Sequence, residues 1–164
     1  MKRLLYSTCY DIGFFKYQGI NSLQNRYVID MSDNKLDISQ IKSYWISEAE
    51  EALTVAEHLF DKKDYSYALF FGHLAIEKIL KSIYVENKKE HAPPIHNLQR
   101  LAKLAEVTLD EKMNETLILI SSFNIEARYP DLKRSFRKKC TKEYTHQQMI
   151  VIRETFRWLK AMLK

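Results

Sequence analysis

The sequence predicts an all-α protein, an antiparallel up-and-down four-helix bundle with one additional short helix. Three observations point there. Only 3 glycines and 3 prolines occur in 164 residues, and the many tight turns of a sandwich or barrel need such residues. Apolar side chains recur at steps of three and four along most of the chain. One segment is apolar around most of its circumference, as a helix enclosed by neighbours must be. Hydrophobic residues at 46% and charged residues at 29% supply a core and a wetted surface, which argues against disorder. The length suits one principal domain.

Residues 1–36 stand apart as an N-terminal arm. They carry Tyr6, Tyr10, Phe14, Phe15, Tyr17 and Tyr27 with no helical period. Two readings stand for the arm: a segment that packs on the domain or on a partner, or a start codon called too early. The bundle is expected over 37–164. Ile38, Ile41, Trp45, Ala49, Ala52, Ala56 and Leu59 share one face of a first helix over 38–60. After the polar break Asp61-Lys62-Lys63-Asp64, a second helix over 65–86 is the enclosed one, with Ala68, Leu69, Gly72, Ala75, Ile76, Ile79, Leu80 and Ile83. Glycine in mid-helix costs about 1 kcal/mol relative to alanine, so Gly72 predicts close approach of another helix. Pro93-Pro94 marks a connecting loop, followed by a short helix over 97–105.

The next helix, over 109–127, carries Met113, Leu117, Ile120 and Asn124 at helical spacing and is stopped by Pro130. A basic loop over 131–143 leads to the last helix, where Thr145 and Gln148 have capping-box spacing. Met149, Ile152, Phe156, Leu159 and Leu163 form its apolar face.

Several function classes are excluded by what is missing. There is no glycine-rich phosphate loop, no Cys-x-x-Cys, no His-Glu-x-x-His and no Gly-x-Ser-x-Gly elbow. Cys9 and Cys140 form neither a metal-ligand cluster nor a disulfide framework. His58, His91, His96 and His146 show no ligand spacing, so no metal and no cofactor are expected. No run of apolar residues is long enough to cross a membrane, and an intracellular, cytoplasmic protein is the economical reading.

Three constellations remain. His73, Glu77 and Lys81 line up at i, i+4 and i+8 on the enclosed helix. A polar line there must find partners or face a cleft. It reads as a Glu77–Lys81 surface pair with His73 beside it, or as the polar floor of a ligand groove. Arg128-Tyr129-Pro130-Asp131 offers a guanidinium suited to a bidentate grip on phosphate, with Asp131 to orient it. Equally, Arg128 caps the helix that ends there. The third is a charge asymmetry: residues 128–164 hold 11 Lys/Arg against 3 Asp/Glu, a net +8, while the remainder nets −3. The excess is concentrated in Lys133, Arg134, Arg137, Lys138, Lys139 and Lys142, with Phe136 and Tyr144 among them. Such a run is a solvated loop, a surface for nucleic acid or a nucleotide, or one for an acidic protein.

Taken together, Tyr44-Trp45, Asp64-Tyr65-Ser66-Tyr67-Ala68, Ala75 to Lys81, His96-Asn97-Leu98, Arg128-Tyr129-Pro130-Asp131 and Tyr144-Thr145 resemble the HEPN domain family over 38–164. The resemblance implies an up-and-down helical core, commonly homodimeric. Many members act beside a minimal nucleotidyltransferase, often as toxin and antitoxin, and others are metal-independent ribonucleases. The nuclease branch carries an arginine, four to six residues, then a histidine. No arginine here meets that spacing, and Arg137 to His146 leaves eight.

The expectation is therefore a non-catalytic member that binds a nucleotide or a nucleotidyltransferase partner. Its ligand-binding candidates are Arg128, Asp131, His73, Glu77, Lys81, Lys133, Arg134 and Arg137. A ribonuclease toxin using Arg137 and His146 as a diverged pair is the enzymatic alternative. A structural adaptor that docks a protein is the third.

Overall fold

A computed structural model describes residues 37–129 and 131–163. The arm expected over 1–36 lies outside the described residues. Six helices and no strands are present among them: α1 Ile38–Asp61, α2 Tyr65–Lys88, α3 Leu98–Leu104, α4 Glu111–Arg128, α5 Ser135–Lys139 and α6 Lys142–Lys160. The all-α bundle of four long helices is as the spacing predicts. A second short helix, α5, occupies the segment expected to be a basic loop.

Side chains set most of the helix starts. Asp37, Asn97, Asp110 and Thr141 each accept a hydrogen bond from a first-turn N–H of α1, α3, α4 and α6. The start of α6 corrects the expected capping box. Thr141 caps the helix by accepting from Tyr144 N at 3.2 Å, and Thr145 is a buried residue of the first turns. At α2, Asp64 makes no side-chain cap bond.

The hairpin of α1 and α2 turns on Lys63, whose φ of 67° is left-handed. Cross-pairs then run antiparallel along it: Lys78 with Glu48 at 2.7 Å and Lys42 with Glu86 at 3.1 Å. On the other side of α1, Arg153 and Lys160 of α6 reach Glu57 and Glu50 at 2.6 Å each.

Helix α2 lies in the middle, packed by α1, α3, α4 and α6. Leu69, Ile76, Ile79 and Leu80 are fully buried with Leu98, Leu101, Leu117, Ile120, Met149, Ile152 and Leu159. The predicted close approach at Gly72 is to α6. A Cβ there would stand 2.6 Å from Ile152 Cδ1, so the hydrogen side chain is what lets the two helices meet.

Candidate functional site

The stripe on α2 is inside the bundle. His73, Glu77 and Lys81 are 0%, 4% and 7% exposed, so the Glu77–Lys81 pair exists, but not on the surface. Glu77 is the hub. Its Oε1 accepts from Lys81 Nζ at 2.7 Å. Its Oε2 accepts from His96 Nδ1 at 3.0 Å and lies 3.3 Å from His73 Nε2, which is outside hydrogen-bond geometry. The carbonyl of Ile120 can only accept, so His73 Nδ1, 3.2 Å away, carries the proton it donates to α4. Lys81 Nζ also sits 4.9 Å from the centre of the Trp45 ring on α1.

Burial alone pushes the Glu77 carboxyl up. The side chains of His73, Lys81 and His96, with the charge of Lys81, outweigh burial and bring it down from 4.5 to about 2. Four segments are thus tied to one carboxylate: α1 through Trp45, α2, the loop before α3 through His96, and α4 through Ile120.

The basic segment is built differently. Asp131 does not orient Arg128. Its backbone carbonyl accepts from Arg134 N at 2.9 Å, and its Oδ1 accepts from Ser135 N at 2.7 Å. Hydrogen bonding from Ser135 holds its carboxyl below the usual range, and the bonds from Arg134 N and Ser135 N close the turn in which Arg134 takes a left-handed φ of 51°. Arg128 donates through Nε to Asn124 O of its own helix at 3.2 Å and lies against Tyr129. The capping role is the one this geometry contains.

Helix α5 follows and is pinned by Phe136, which is buried and stacks on Phe123 of α4 at 6.0 Å. Cys140, four residues on, is buried on the same side. Burial, with Glu126 nearby, pushes its thiol up to about 11, so it stays protonated and unreactive.

With two positions turned inward, every cation of the segment turns outward. Lys133, Arg134, Arg137, Lys138, Lys139 and Lys142 are all exposed. None of these six is within ion-pair distance of a carboxylate among the described residues. Two of the six have aromatic partners. Arg137 donates to Tyr67 Oη at 2.8 Å and lies 5.2 Å from that ring, and Lys139 lies over Tyr144 at 5.0 Å. The diverged pair Arg137 and His146 is not joined by any contact: His146 packs on Phe60.

Sequence reasoning missed His96 and Tyr67. Each meets its partner across a long gap, 19 and 70 residues, which no local spacing encodes. Among the described residues no group of three or more His, Cys, Asp and Glu could hold a metal ion, and no helix is long and apolar enough to cross a membrane.

A family model described as HEPN domain matches residues 43–162. The crystal structure of TT1696 from Thermus thermophilus superposes with a TM-score of 0.63 at 16% identity, covering 74% of this chain and 98% of that one. At that identity the likeness speaks for the fold alone. No curated protein matches the chain.

Proposed function

Because the chain belongs to the HEPN domain family, we propose that it is a non-catalytic member that binds a nucleotide through the basic segment 131–142, beside a minimal nucleotidyltransferase partner. One observation carries this reading: six exposed cations on an anchored segment have no carboxylate partner among the described residues. Elsewhere Lys42, Lys78, Lys81, Lys88, Arg153 and Lys160 are paired, while Lys62, Lys63, Lys89, Arg100, Lys103, Lys112 and Arg157 are exposed without an ion pair but scattered along the chain, so what sets the segment apart is the crowding of six such cations into residues 133–142. Uncompensated positive charge held on a rigid base attracts phosphate and is not consumed by the fold. Tyr67 and Tyr129, both exposed, add flat surfaces for a base. The buried stripe supports the scaffold and leaves ligand contact to this segment. A pairing of this kind in a toxin–antitoxin module is the setting that the family suggests.

The test is calorimetric titration of the purified protein with ATP and AMP at low salt. Saturable binding that weakens as salt rises is the expected result, and no saturable binding removes the nucleotide reading.

A homodimer is favoured by a separate observation. Ile118, Ile125, Tyr129 and Leu132 are exposed along and just beyond α4, with Leu132 fully so, and they recur at roughly helical spacing. An apolar strip of this kind is covered when a second copy packs on it. Sedimentation should give a dimer that Ile125→Asp or Leu132→Asp converts to monomer. A wild-type monomer at micromolar concentration would remove this part of the reading.

A further inference from the structure

We infer that Arg137 makes the directional phosphate contact of the basic segment and that Tyr67 of α2 is its positioning residue. The inference rests on the nucleotide reading above. It says which of the six cations recognises the anion and which only attract it.

An exposed arginine samples many rotamers, and a ligand must freeze them on arrival. Arg137 is already held at both ends. Its backbone follows directly on Phe136, which is buried and stacked on Phe123 of α4 at 6.0 Å. Its guanidinium donates through Nη2 to Tyr67 Oη at 2.8 Å and lies 5.2 Å from the centre of that ring. A directional bond together with a ring face restricts both where the planar group sits and how it is turned. The bond to Tyr67 uses one of five N–H donors. The others remain for the two parallel bonds with which a guanidinium grips a phosphate.

Among the described residues no other cation of the segment has this combination. Lys139 lies over Tyr144, but its ammonium is a point charge without a fork. The side chains of Lys133, Arg134, Lys138 and Lys142 make neither a hydrogen bond nor a ring contact. Arg128, just before the segment, spends Nε on Asn124 O of its own helix. One carboxylate, that of Asp64, lines the same small hollow as Arg137 without pairing with it. Lys63 lines that hollow too and offsets it.

The experiment is calorimetric titration of the full chain with ATP across a salt series. Four proteins are compared: wild type, Tyr67→Phe, Arg137→Lys and the double variant. Tyr67→Phe keeps the ring and removes only the hydroxyl that holds the guanidinium. Both side chains are exposed, so melting temperatures should stay at the wild-type value. Tyr67→Phe should weaken binding between about twofold and tenfold, the cost of ordering one long side chain on binding. Arg137→Lys should weaken it by at least about tenfold. Both should keep the wild-type salt dependence, because neither changes the net charge. In the Arg137→Lys background, Tyr67→Phe should have less than about a twofold effect, since no planar group is left to orient.

Saturable ATP binding with wild-type affinity in either single variant overturns this inference and leaves the nucleotide reading standing. A Tyr67→Phe loss that persists undiminished beside Arg137→Lys overturns the positioning role, because the hydroxyl would then act apart from the guanidinium. No saturable binding by the wild type overturns both.

Discussion

The α2 stripe and the 131–142 segment are the two places where this bundle concentrates charge, and they treat it in opposite ways. In the stripe, buried Glu77 is met by Lys81 and His73 inside the protein and by the exposed His96 from the surface. In the segment, six cations face water, two of them beside aromatic rings and none in an ion pair among the described residues. The contrast separates two uses of a polar residue. A charge whose partners are all supplied by the fold has a structural role, because any rearrangement to greet a ligand would strand a buried ion. A charge left without a partner on an anchored surface is available for something outside.

The sharpest way to break the contrast is to remove the hub. Glu77→Ala strands Lys81 and His73 in a buried site, and losing one partner of such a pair costs about 3–5 kcal/mol. Urea unfolding should show that loss, and a change below about 1 kcal/mol would mean that the stripe is not held as described.

Acid addresses the same carboxyl. Its folded value, about 2, lies below its ordinary 4.5. The stability from Glu77 is therefore full above pH 4.5 and disappears as pH falls through 2. About 2.5 units correspond to roughly 3 kcal/mol. Unfolding free energies of wild type and Glu77→Gln, measured from pH 6 down to 2, should converge by about that amount. Parallel curves would contradict the assignment.

A smaller effect is expected where α2 meets α6. Gly72→Ala gains about 1 kcal/mol of helix propensity. It also drives a methyl to within 2.6 Å of Ile152 Cδ1, an overpacking that costs about 1–3 kcal/mol. The net loss should be about 1 kcal/mol and should shrink in an Ile152→Val background, where that atom is gone. A double-mutant cycle reads the coupling. Additive effects would mean that the helices are not in contact there.

How much of this the sequence discloses depends on whether the signal is local. Helices α1, α2 and α4 follow from apolar spacing, because a long amphipathic face repeats its evidence every turn. The approach at Gly72 follows from one costly residue in a good helix. Helix α5 is not legible: five residues, three of them basic, leave only Phe136 and Cys140 as an i, i+4 pair to betray a buried side. Spacing puts the start of α6 one turn late because Thr141 and Thr145 offer the same chemistry, and only the chain's path says which one is outside the helix. The line His73–Glu77–Lys81 is visible in the sequence, but its burial and its link to His96 are not. They depend on a diproline loop folding back over α2, and tertiary closure has no periodicity. The same holds for Tyr67 with Arg137.

The smallest expected effect on stability belongs to the basic segment. Lys133→Ala, Lys138→Ala and Lys139→Ala should each change unfolding free energy by less than about 0.5 kcal/mol, as exposed residues outside ion pairs do. A loss above about 1 kcal/mol in thermal unfolding would show that these cations do serve the fold, and the contrast with the stripe would fail.

The most direct measurement of the central claim combines the three substitutions in one chain. ATP affinity is measured across a salt series for that variant and for wild type, with melting temperatures recorded alongside. The account predicts saturable wild-type binding that weakens with salt, and at least about tenfold weaker binding with a flatter salt dependence in the variant at an unchanged melting temperature. Equal affinities and equal salt slopes in the two proteins would contradict it.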